Sequence, residues 1–228
     1  MGDNILTMIK VIELPIDKDM GGLTSYVLQL YRMIDKKEFE LTLLSYDNPQ
    51  NFDVNYNVET VSRPYHIIQF YKKMKCLLSE EKDIIHFHQS YVNIIPILIA
   101  KLAGFKTIIL HAHSSSIDDN RKIIRFLKTG LHKVGRFLLP YLVDTYIGCS
   151  TKASEWMFPR KCIDSDSYYL LHNAIDLDLY DRNINLGLEV RQKFNIPKDA
   201  LVVGHIGRFT PVKNHPFIID IFKEVLKQ

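Results

Sequence analysis

The chain lacks any apolar run of the roughly 18 residues a membrane-spanning helix needs. Its opening hydrophobic stretch, Ile5 to Leu14, is broken by Lys10 and is followed by no signal-peptide cleavage pattern. Leu6 stands where a myristoylation signal requires Ser or Thr. These absences argue against a spanning or secreted protein and place the expected location in the cytoplasm. Cysteine is scarce: Cys76, Cys149 and Cys162 have neither zinc-like nor redox spacing, and their odd number fits reduced thiols packed as small hydrophobes. A net charge of +3 is too small for the basic, aromatic-interleaved surface that nucleic acid demands, so no nucleic-acid partner is expected. Internal repeats, low-complexity segments and the spaced glycines of a dinucleotide fold or phosphate-binding NTPase loop are also missing.

What remains is an ordinary globular composition. With 46% hydrophobic residues over 228 positions, the chain can bury one full core and a fraction of another. Apolar runs at Ile5–Glu13, Leu41–Ser45, Asp83–His88, Thr107–His111, Asp144–Cys149 and Tyr168–Leu171 read as strands. Between them, helical spacing recurs from Leu23, after Pro64, over Asn93–Leu102 up to Gly104, from Arg121 to Leu139, and after Ser150, a natural N-cap. Regular alternation of this kind predicts an α/β fold with a mainly parallel, doubly wound, Rossmann-like sheet. Val202 to Phe209 reads as a further buried strand entering a basic loop, and Pro216 opens a last helix.

In doubly wound sheets ligands bind beyond the carboxyl ends of the strands, and several features fall there. Gly21 and Gly22 precede the first helix, where backbone can approach a phosphate closely or simply make a tight turn. His86 and His88 end one strand, and His111 and His113 end the next. Residues two apart share a strand face, so each pair can present two imidazoles to one point. Metal binding, contact with a polar substrate and a structural role are all open to them, although no cysteine or regularly spaced carboxylate completes a metal set. Arg121, Arg125, Lys128, His132 and Arg136 form a stripe along the long helix beside abundant apolar residues, suiting either an anionic lipid surface or a solvated face. Near the end, Arg208 and Lys213 add cations to a strand, glycine turn and helix N-terminus, a ready anion site.

Together these segments resemble the family 4 retaining glycosyltransferases with two Rossmann-like domains (GT-B), especially those of capsule and exopolysaccharide synthesis. The resemblance rests on Gly21-Gly22-Leu23-Thr24, Asp83 to His88, His111-Ala112-His113-Ser114, Gly148-Cys149-Ser150, Asn173-Ala174-Ile175-Asp176, and Gly204 to Phe209 followed by Lys213-Asn214-His215. It implies transfer of a sugar from a nucleotide-diphosphate sugar to a hydroxyl of a lipid-linked saccharide, with retained configuration and no required metal or other cofactor. It assigns Arg208 and Lys213 to the donor diphosphate, where fixed cations would stabilise charge on the leaving phosphate. Gly21 and Gly22 match the loop at donor phosphate and acceptor, His111 and then His113 the catalytic strand-end position beside the transferred sugar, and His88 the acceptor side. Arg121, Arg125, Lys128 and Arg136 are the expected residues for docking peripherally on the inner face of the plasma membrane.

The same resemblance divides the chain into an acceptor-side domain over 1–172, a linker over 173–199 and the start of a donor-binding domain over 200–228. The family's paired glutamates, seven residues apart in the second domain, have no counterpart, and Glu224 does not match them. The 228 residues alone are therefore expected to be inactive, or active only with a chain that supplies the missing half. Two other readings compete: a non-catalytic module that binds acceptor, membrane or a partner transferase, and a metal-dependent hydrolase organised by the four histidines.

Overall fold

The computed structural model describes residues 8–18, 21–78, 84–177, 184–207, 209–210 and 213–227. The chain divides into two compact units, residues 1–175 and 176–228. In the first, strands and helices alternate: β1 (Ile9–Ile16), α1 (Gly22–Met33), β2 (Phe39–Ser45), β3 (Val58–Thr60), α2 (Ile67–Leu77), β4 (Ile84–Gln89), α3 (Ile94–Ala103) and β5 (Thr107–Ala112). After these come α4 (Lys122–Leu138), β6 (Thr145–Gly148), α5 (Thr151–Met157), α6 (Arg160–Ile163) and β7 (Tyr168–Leu170). The second unit contains α7 (Ile184–Lys193) and α8 (His215–Val225).

All seven strands form one parallel sheet in the order β3-β2-β1-β4-β5-β6-β7. Parallel neighbours require crossovers, and the helices supply them on both faces, so the central strands are buried on both sides. The order reverses between β1 and β4, the switch point at which a doubly wound sheet opens a crevice. One face, with Leu14, Ile85, Phe87, Ile108 and Leu110, packs against Phe70 and Met74 of α2 and Ile97 of α3. The smaller cluster of Ile16, Val27, Leu28 and Leu43 lies under α1.

Local sequence accounts for most helix ends. Asn93 Oδ1 accepts the Ile95 N–H at the start of α3, and Gly104 ends that helix at φ 114°, a left-handed position that favours glycine. Ser150 Oγ accepts the Ala153 N–H at the start of α5, as its position in the sequence predicts. Three elements were not legible: β3, a three-residue strand that exists only through pairing with β2; α6, a single four-residue turn; and α7, which lies within the expected linker 173–199. The strand expected at Val202–Phe209 is not formed over its described part, 202–207 and 209. A strand is held by a ladder, and no other strand pairs with this segment among the described residues.

Candidate active-site cleft

The polar centre of the first unit is built by strand register. Glu13 of β1 lies beside His86 of β4, and His88 of β4 lies beside His111 of β5. Because side chains alternate, Glu13, His86, His88 and His111 all project from one face, opposite the apolar set of Leu14, Phe87 and Leu110. His113 follows β5, and its backbone N–H donates to Gln89 O at 3.0 Å. Tyr26 of α1 closes over the cluster with ring centroids 6.0, 5.2 and 5.3 Å from His88, His111 and His113.

Glu13 was not anticipated, yet it organises this face. It accepts from His88 Nε2 at 2.6 Å and His86 Nδ1 at 3.0 Å, and it is buried. Burial alone would raise its pKa, but the electrostatic interaction and hydrogen bonds with His86 and His88 outweigh that and hold the carboxyl well below its ordinary range. His88 Nδ1 in turn lies 2.8 Å from His113 Nε2. Burial and neighbouring imidazoles push the pKa of His88, His111 and His113 down, so these rings are neutral. A charged residue inside a strand covered on both faces was the signal available in the sequence, since such residues are rarely buried without partners.

The histidines named from sequence thus come together, but not equivalently. His111 has no exposed surface, and neither of its ring nitrogens has a hydrogen-bonding partner. His113 is half-buried and is the ring of the pair nearer to solvent. His88 is fully buried at the base of a cleft of about 620 Å³ beyond the ends of β1 and β4. Arg63, Arg121 and Lys128 supply cations to its lining, and Tyr46, Tyr65 and Tyr91 supply aromatic surface. Arg63 lies over the Tyr46 ring at 5.1 Å, and Lys128 over Tyr91 at 5.6 Å.

Gly21 and Gly22 open α1 with no side-chain cap on Gly21 and no acidic residue in the first turn. The free N–H groups and the positive end of the helix dipole suit an anion there. In the second unit Lys213 is exposed and its N–H donates to Thr210 O at 3.0 Å, just before α8, which also begins without a side-chain cap. His215 packs against Phe209 and His205 in the same loop. Arg208 lies outside the described residues.

The basic stripe on α4 requires correction. Arg121 and Lys128 both pair with Asp119, Arg136 donates to Phe158 O at 2.8 Å, and His132 is buried against Trp156 with ring centroids 4.3 Å apart. Lys128, His132 and Arg136 therefore lie towards the body of the unit, and only Arg125 and Arg121 are exposed. The outward face is instead apolar: Ile123, Phe126, Leu127, Val134 and Phe137 are exposed, with Phe126 at 77% and Phe137 at 73%. Lys122, Arg125 and Lys133 flank it. Helical spacing identifies an amphipathic helix but not which face the fold covers.

Residues 20–179 match the sequence model of Glycosyltransferase Family 4. Among curated proteins, the "Putative glycosyltransferase EpsF" of Bacillus subtilis (strain 168) is 25% identical over 93% of the chain and 57% of its own length. The UDP-Gal:alpha-D-GlcNAc-diphosphoundecaprenol alpha-1,3-galactosyltransferase of Escherichia coli is 20% identical over 96% of the chain and 58% of its own length. The chain thus spans little more than half the length of these relatives. Among solved structures, MurG of Acinetobacter baumannii is 12% identical with a TM-score of 0.48, covering 74% of this chain and 46% of its own.

Proposed function

The chain belongs to glycosyltransferase family 4, and on that premise we propose that it serves transfer of a sugar from a nucleotide-diphosphate sugar to a hydroxyl of a lipid-linked saccharide, in the synthesis of a surface polysaccharide. The observation that carries this reading is the junction of the cleft with α4. Arg121 and Lys128 line the cleft, while Ile123, Phe126 and Leu127 of the same segment face outward. An acceptor with a charged diphosphate next to a polyprenyl chain needs that combination: cations and aromatic rings for the head, apolar surface for the tail. The printed name of the Escherichia coli relative describes such an acceptor, a sugar on diphosphoundecaprenol.

In this reading Arg63, Arg121 and Lys128 hold the acceptor diphosphate. In the first unit the N-terminus of α1 at Gly21 and Gly22 is offered as a diphosphate site; in the second unit Lys213 and Arg208 are the cations assigned to the donor. His113 stands beside the transferred sugar, and the neutral ring, its Nε2 engaged with His88, offers Nδ1 as a hydrogen-bonding group without a competing charge. His111 supports it from below. Stabilisation of charge on the leaving diphosphate is the main contribution asked of the cations.

The outward face of α4 would rest on the membrane that holds the acceptor. From Arg121 to Val143 there is no acidic residue, so repulsion from anionic headgroups is absent while Lys122, Arg125 and Lys133 attract them. None of the described helices is long and apolar enough to cross a membrane.

Trp156, the only tryptophan, provides the test. Its Nε1–H donates to Ser90 O at 3.2 Å, and Ser90 lines the cleft. Titration of the chain with a short polyprenyl-diphosphate-linked N-acetylglucosamine should change Trp156 fluorescence saturably, and Arg63→Ala should weaken the effect. Binding that is absent, or unaffected by Arg63→Ala and Lys128→Ala, removes the acceptor reading. Mass spectrometry of the saccharide after addition of nucleotide-diphosphate sugars then reports transfer.

A further inference from the structure

The buried cluster under Tyr26 holds more ring nitrogens than hydrogen bonds to engage them. The Glu13 carboxylate meets His86 through Nδ1 and His88 through Nε2. Neither ring nitrogen of His111 has a hydrogen-bonding partner, and His86 Nε2 is likewise buried without one. Buried polar atoms are nearly always satisfied, so three unpartnered imidazole nitrogens in one cluster call for a ligand, and imidazole nitrogens are common ligands of transition-metal ions. Among the described residues no lysine or arginine pairs with the Glu13 carboxylate to balance its charge.

We propose that this cluster binds one divalent transition-metal ion of the zinc class. His86, His88 and His111 are the ligands, His113 is the fourth, and Glu13 is the outer acceptor that orients two of them. Each of the first three rings offers a nitrogen within 4.8 Å of the other two. A tetrahedral zinc ion with Zn–N bonds of about 2.0–2.1 Å needs ligand nitrogens roughly 3.4 Å apart, which small ring rotations reach. His113 Nε2 is already 2.8 Å from His88 Nδ1, and an ion inserted between them replaces their hydrogen bond with two coordinate bonds, the shared proton moving to His113 Nδ1. A carboxylate hydrogen-bonded to a ligating imidazole is the usual outer arrangement at such sites, and it fixes the tautomer as Glu13 does here. An all-imidazole set selects zinc, cobalt, nickel or copper over magnesium or calcium, which prefer oxygen. The ion would lock the carboxyl ends of β4 and β5 together and set the angle of the His113 ring; no bond-making step is assigned to it.

This inference stands on the cluster alone, so its failure leaves the transferase reading untouched. The purified chain is stripped with chelator and titrated with Co²⁺ and Zn²⁺. Expected are close to one equivalent bound, the visible absorption of tetrahedral Co²⁺, a raised Tm with zinc, and an X-ray absorption spectrum of the zinc form dominated by imidazole. Glu13→Gln should weaken binding by about 10- to 100-fold, the effect typical of a lost outer-shell partner. His86→Gln and His111→Gln should abolish it, while His66→Ala and His172→Ala should not alter it. The proposal is overturned if the folded wild-type chain binds less than a tenth of an equivalent, if folded His86→Gln and His111→Gln bind as tightly as wild type, or if the zinc shell is all oxygen. The wild-type absorption spectrum is diagnostic even where a variant does not fold.

Discussion

His132 Nδ1 accepts the backbone N–H of Val92 at 3.0 Å, tying the middle of α4 to the segment that leads into α3. The bond requires an unprotonated nitrogen. Burial, followed by the nearby charge of Arg136, pushes the His132 pKa from 6.5 down to about 4. A depressed histidine pKa means that the unfolded chain binds the proton more readily. Its contribution to stability is therefore fully present above pH 6.5 and is lost as pH falls towards 4. His132→Ala should cost about 1–3 kcal/mol at neutral pH, because the Val92 N–H is left buried and unpaired. Urea midpoints at pH 7 and pH 5 provide the check: the difference between wild type and variant should shrink at the lower pH, and a constant difference would contradict this role.

Gly135 lets α4 approach the same residue. A Cβ at this position would lie 2.4 Å from Val92 Cγ1, and the helix has no conformational need for glycine there. Gly135→Ala should destabilise by about 1–3 kcal/mol through overpacking. Val92→Ala in the same chain should restore part of the loss. Additive effects in this double-mutant cycle would show that the contact is not responsible.

The outer face of α4 gives a different pattern. Phe126 and Phe137 are largely exposed, so Phe126→Glu and Phe137→Glu should leave Tm nearly unchanged while abolishing co-sedimentation with vesicles containing phosphatidylglycerol. Lys122→Ala and Lys133→Ala should each weaken vesicle binding by about 1 kcal/mol, roughly fivefold, at low salt. Binding that ignores both salt and these variants would exclude electrostatic docking. Concentration-dependent dimerisation lost in Phe126→Glu would instead identify a second copy as the occupant.

At the start of α1, a Cβ on Gly22 meets nothing within 4 Å. Gly22→Val should therefore fold with an unchanged Tm. If the helix N-terminus receives a donor diphosphate, the added side chain will obstruct it, and ³¹P line broadening of pyrophosphate by the chain should diminish. Equal broadening in variant and wild type would move the anion elsewhere.

Much of the fold was legible because its signals are local. The apolar runs Asp83–His88 and Thr107–His111 lie within a residue of the strands they form, and the helix expected from Arg121 to Leu139 runs over Lys122–Leu138. Strand periodicity also places His86 with His88 on one face, whatever their neighbours. Short β3 escaped because three residues carry too little pattern. Segment 202–207 shows the reverse, a strand-like composition with no ladder among the described residues.

The amino-acid sequence by itself determined the alternation of strands and helices, the parallel sheet that follows, and the family to which the chain belongs. Each depends on residue types within a few positions of one another. Only the tertiary structure settled that Glu13 meets His88, 75 positions away, that His111 is sealed beneath Tyr26, and that α4 turns Phe126 and Phe137 outward while Lys128 and Arg136 find partners within the unit. Those outcomes depend on strand register and on which helix face the sheet covers, and both arise from packing between segments far apart in the chain.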